Sequence, residues 1–146
     1  MTTVVDDATL LAVLAGQAGP GLQRAANNGE VLTTTSWYYR LNRALRDPGS
    51  QRHLSSMAAG LPEEARAALF TVIEDLPPEI GLVHPRRLVP VMASLRLSKP
   101  VNFLAAEALG VALLTDADIR ISTESPGLTL ACDELDVYLE LRSPFD

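Results

Sequence analysis

Residues 4–16 read VVDDATLLAVLAG. Val4 and Val5, preceded by Thr2 and Thr3, make a β-branched run that suits a pleated strand. Two acids follow. Ala8 to Ala15 is then apolar at every position except Thr9, up to a stop at Gly16. Asp6 or Asp7 can lend the side-chain oxygen that caps a helix start. The stretch therefore reads as strand, tight turn and helix, the opening of an α/β unit. It also sets an acid just past the carboxyl end of a strand, where open parallel sheets place their binding crevice.

The same alternation continues along the chain. Leu22 to Asn28 reads as a short helix ended by Asn28-Gly29, and Glu30 to Thr34 (EVLTT) as the second strand. Ser36 to Arg46 carries Trp37, Leu41, Ala44 and Leu45 at helical spacing and ends at Asp47-Pro48-Gly49. Gln51 to Gly60 reads as a loop with some helix. Pro62 with Glu63-Glu64 opens a helix to about Asp75. Ile80 to His84 (IGLVH) is the third strand. Pro85 starts a helix to about Arg96, kinked or delayed by Pro90, and Pro100 starts another that ends at Gly110. Val111 to Thr115 (VALLT) reads as a fourth strand buried on both faces, and Leu128 to Cys132 (LTLAC) as a fifth. Glu134 to Leu141 reads as a last strand or short helix. Short apolar strands separated by helices imply a parallel sheet covered on both faces. No linker or repeat divides the chain, so residues 1–146 form one domain.

Composition fits this reading. The chain has 146 residues, 47% apolar, with a net charge of -6. A domain of that size buries about 70% of its unfolded surface, so it folds without a metal or disulfide. The lone Cys132 excludes an internal disulfide and a multi-cysteine zinc site, and His53 and His84 leave little for a histidine site. The acidic balance argues against attachment to nucleic acid by bulk charge. The N-terminus carries Asp6 and Asp7 where a secretory signal would be basic, and no apolar run is long enough for a transmembrane helix. The expected setting is cytoplasmic, with no membrane. Of the 12 basic residues, only Lys99 is a lysine.

Acids follow three of the five candidate strands: Asp6-Asp7, Asp116 and Asp118, and Asp133-Glu134. Adjacent first and fourth strands would bring Asp6 together with Asp116 or Asp118. Converging carboxylates repel unless they share a proton or hold a cation, and magnesium is a usual solution. Alternatively these acids only cap helices and turns.

The opening VVDDATLLAVLAG resembles the start of the PIN-domain nucleases. GEVLTTTSWYYRLNRAL is similar to their second strand and following helix, and LRLSKPVNFLAAEALGVALLTDADIRI to their late section with its Thr-x-Asp-like motif. The pieces occur in family order over nearly the whole chain. The resemblance implies a three-layer α/β/α sandwich with a parallel sheet in order 3-2-1-4-5. It also implies a magnesium- or manganese-dependent ribonuclease centre, as in the toxins of toxin–antitoxin pairs. Asp6 matches the family's first acid, and Asp116 or Asp118 the acid after the fourth strand. Arg40 falls at the second acid's position and Lys99 at the third.

Replacing two acids by cations shifts the site by about four charge units and repels a metal ion. The expectation is that Arg40 and Lys99 pair with Asp6 and Asp116. The chain would then be a catalytically impaired relative that acts by binding RNA or protein. The alternative is an active Mg- or Mn-dependent endoribonuclease, a toxin component, with Asp6, Asp116 and Asp118 as metal ligands and Glu107, Glu30 or Glu124 filling the gap. Partners in either case are a second copy, an antitoxin-like protein or RNA.

Other features have plainer readings. Trp37-Tyr38-Tyr39 beside Arg40 and Arg43 can stack RNA bases, but such aromatics usually serve a core. Arg86-Arg87 can face phosphate or solvent, and His84 has little support as a general base. Cys132 reads as an inert buried thiol. Leu54, Met57, Leu61, Leu69 and Phe70 suit an apolar contact face or a core equally.

Overall fold

A computed structural model describes all 146 residues. The first strand, β1 (Thr3–Val5), runs into α1 (Asp7–Leu14). Asp6 is extended and caps the helix by accepting from the Thr9 N–H. Every residue of α1 from Ala8 to Leu14 is buried. A helix that is apolar all round belongs inside a layer, and α1 lies between the sheet and its neighbouring helices. Gly16 ends the segment at φ 70, a backbone region closed to most side chains.

Helix α2 (Pro20–Asn27) leads to β2 (Val31–Leu32), and α3 (Thr35–Arg46) follows. Thr34 caps α3 through the Trp37 N–H at 3.0 Å. Residues 51–60, expected as a loop with some helix, hold α4 (Arg52–Ala59), and its Leu54 and Ala58 anchor it to the core. Helix α5 (Glu63–Val72) precedes β3 (Ile80–Gly81). Helix α6 (Pro85–Ser98) runs on through Pro90.

The fourth and fifth strands depart from the sequence reading. VALLT is the last part of α7 (Phe103–Thr115), not a strand. An unbroken apolar run has the same appearance in a buried helix and a buried strand, so periodicity does not separate them. Gly110 does not stop this helix. It is a packing residue: a Cβ there would lie 2.8 Å from Leu88 Cδ1 of α6. Asp116 instead ends α7 in the left-handed conformation, φ 53. The true fourth strand is β4 (Asp118–Ile121). LTLAC is likewise helical, inside α8 (Pro126–Glu134), where Pro126 occupies the first turn. The segment left open at the end supplies β5 (Leu139–Leu141).

The five strands are all parallel, in order β3-β2-β1-β4-β5. Val5, Val31 and Ile80 face a core shared with α1, α2 and α5. Val4, Ile119 and Ile121 face another shared with α6, α7 and α8. The molecule is thus an α/β sandwich with helices on both faces. No single helix is long and apolar enough to cross a membrane.

Candidate functional site

The chain leaves β1 in one direction for β2 and returns on the other side for β4, so the switch point of the sheet lies between β1 and β4. A cavity of about 480 Å³ opens at the carboxyl ends of these two strands. Asp6 and Asp7 enter it from β1, Glu124 from the segment after β4, and Arg40, His53 and Asn102 from the surrounding helices.

Asp6 is buried and heavily bonded. Its Oδ1 accepts from the Thr9 N–H at 2.9 Å, and its Oδ2 accepts from the Ser122 N–H at 2.7 Å and the Ser122 hydroxyl at 2.8 Å. A carboxylate has about four lone-pair directions. Three are spent here, so Asp6 fastens the end of β4 to the start of α1.

Asp7 turns to the opposite partner. Its Oδ1 accepts from the Ala8 N–H at 2.8 Å, and its Oδ2 lies 3.2 Å from Arg40 Nε. That nitrogen is close but poorly aligned, and it makes no hydrogen bond. Arg40 Nη2 donates to Gln51 Oε1 at 3.2 Å. Burial raises the Asp7 pKa most, and the neighbouring Asp6 charge adds to the rise; Arg40 and His53 oppose it. Arg40 therefore does enter the pocket, but it pairs with Asp7 rather than Asp6.

The other expected members lie elsewhere. Lys99 ends α6 in extended backbone and bonds to Glu134 of α8. The helix before β4 opens three positions later than the sequence reading placed it, with Asn102 as its cap: the Asn102 Oδ1 accepts from the Ala105 N–H at 2.9 Å. Asp116 and Asp118 precede β4 or begin it, so they sit at its amino end. Asp118 is in register with Thr3, three residues before Asp6, or about 10 Å back along the strand. Neither can converge with Asp6. The misplaced strand at VALLT caused both errors.

Of the three alternative carboxylates, Glu124 lines the pocket. Glu30 pairs with the N-terminal amine at 3.7 Å. Glu107 is buried in α7 and accepts the Ser36 N–H at 3.2 Å, which satisfies the start of α3. Trp37 is buried and Tyr38 donates its hydroxyl to Ile73 O at 2.6 Å, so both are structural; Tyr39 is exposed beside Arg43. Cys132 is buried and its thiol is pushed up to about 11 by desolvation.

Sequence reasoning missed Ser122 and Asn102, and offered Glu124 only as one of three acids that could fill a gap. The signal for them was local. Ser125-Pro126 marks a helix start, which leaves DIRI as the strand and Ser122-Thr123-Glu124 as its exit.

The pocket is not neutral. Asp6, Asp7 and Glu124 face a single guanidinium. These residues nevertheless fit a divalent ion poorly. Asp6 keeps one free lone-pair direction, Asp7 is tied to Arg40, and the Asn102 acceptor is used within its own helix turn. Glu124 alone is uncommitted, and no group of three or more His, Cys, Asp or Glu residues is arranged to hold a metal. No family model matches the chain, and no curated protein matches it.

Proposed function

We propose that this chain is a PIN-like protein whose pocket binds a partner instead of cleaving RNA at a metal centre. The Asp7–Arg40 pair carries the reading. A guanidinium held at 3.2 Å from one of the pocket's acids occupies space and charge that a bound cation would need. The strand order 3-2-1-4-5, which the PIN resemblance implies, supports the relationship. The excess of carboxylates repels RNA phosphates and favours a protein partner that presents cationic groups.

A second reading has one observation in its favour. Asp6, Asp7 and Glu124 do share one cavity, and an active Mg- or Mn-dependent endoribonuclease would need acids there.

Labelled single-stranded RNA incubated with the protein and magnesium or manganese separates the two readings. The expected result is no cleavage above the level given by Asp6→Asn. Metal-dependent cleavage that is lost in a folded Asp6→Asn variant, judged by circular dichroism, would establish the nuclease reading instead.

A further inference from the structure

Strand β5 ends the sheet and pairs only with β4. Its carbonyl at Tyr138 accepts from the Ile119 N–H at 2.9 Å, and the Arg142 N–H just beyond it donates to Ile121 O at 2.9 Å. Alternate residues of a strand bond to opposite sides, so Leu139 and Leu141 send their N–H and C=O groups to the free edge. Edge strands are usually blunted by short length, charged side chains, proline or a bulge, and β5 uses the first two, with three residues and a Glu140–Arg142 ion pair. The stretch Tyr138-Leu139-Glu140-Leu141 carries neither lysine nor proline, and its register with β4 is unbroken.

Beside this edge lies a groove of about 770 Å³ between β5 and the outer side of α8. Leu130 and Tyr138 line it and are 54% and 63% exposed. Asp133 and Asp136 also line it, and no lysine or arginine does. Asp136 holds the turn into β5 at φ 56.

We propose that the β5 edge and this groove dock an extended basic segment of another protein, added to the sheet as a sixth strand. Main-chain hydrogen bonds to Leu139 and Leu141 would supply affinity, and the apolar floor and acidic rim would select alternating apolar and basic side chains. A second copy of the chain fits badly. Its own groove is acidic, so pairing like edges would bring Asp133 and Asp136 near their equivalents, while Glu140 lies outside the groove and pairs with Arg142 at 3.3 Å. This inference concerns the far edge of the sheet and does not depend on how the pocket works.

The test uses two synthetic hexapeptides, one alternating lysine with valine and one alternating glutamate with valine. Each is titrated into the full chain and followed by NMR and amide hydrogen exchange. The lysine peptide is expected to shift and protect the Leu139 and Leu141 amides, and the glutamate peptide to leave them unchanged. The double change Asp133→Lys, Asp136→Lys should weaken binding by about tenfold or more, whereas Glu63→Lys, Glu64→Lys on α5 should change it less than about twofold. Equal losses in the two double variants would reduce the effect to bulk charge and overturn the proposal. So would absence of protection at Leu139 and Leu141 in the unmodified chain. Protection that appears with rising protein concentration and no peptide would overturn it in favour of self-association.

Discussion

Asp6 is better described as a structural fastener than as a reactive acid. Three donors converge on it, two of them from Ser122. Hydrogen bonds to a charged group contribute about 1.5–3 kcal/mol, and removing the acceptor leaves buried donors unsatisfied. Asp6→Ala should therefore lower stability by about 3 kcal/mol in urea unfolding, and Ser122→Ala by about 1–2 kcal/mol. A stable Asp6→Ala protein would contradict this role. Asp7 behaves in the opposite way. Its folded pKa is raised above the ordinary 3.8, so the folded state holds its proton more tightly than the unfolded chain does. Its ionisation thus opposes folding, with no penalty below about pH 3.8 and a growing one as pH rises through the folded pKa. Asp7→Asn should accordingly be more stable than the parent at neutral pH, and the advantage should vanish toward acid. A melting-temperature series against pH reads the sign directly.

At the scale of elements, the resemblance and the alternating pattern led to the right sheet by way of two wrong strands. Local signals identified β1 and α1 from a β-branched run, a capping acid and the stop at Gly16, and α3 from its amphipathic spacing. VALLT and LTLAC misled because a short apolar run looks alike in a strand and in a helix. Helix α7 is buried only as far as Ala112, and the exposed Leu113, Thr129 and Leu130 carry no charge to display the helical period. Gly110 added to the error: it looks like a helix stop but is the place where α7 approaches Leu88. The same shift moved the expected acids to the wrong end of β4, left Asn102 unassigned and kept Glu124 among three interchangeable alternatives. The corrected assignment makes a sharp prediction for Asp116, which caps α7 with φ 53. Glycine is easier to place in that conformation, so Asp116→Gly should stabilise the protein by about 0.5–1 kcal/mol. A destabilised Asp116→Gly variant in urea unfolding would contradict this capping role.

For the whole molecule, the parallel sheet explains both the pocket and the edge. Its switch point brings the acids of β1, the exit of β4 and Arg40 of α3 to one cavity, while its last strand leaves backbone groups unpaired. The net charge of -6 hides this unevenness. The only lysine lies outside the pocket on Glu134, and a single arginine offsets the pocket's acids. The central claim is that this arrangement does not hold a catalytic metal. Magnesium titration followed at the Thr9 and Ser122 amides, which report on the two oxygens of Asp6, tests it most directly. The account predicts no shift of either amide at sub-millimolar magnesium. A saturable shift of both, lost in Glu124→Gln, would contradict it.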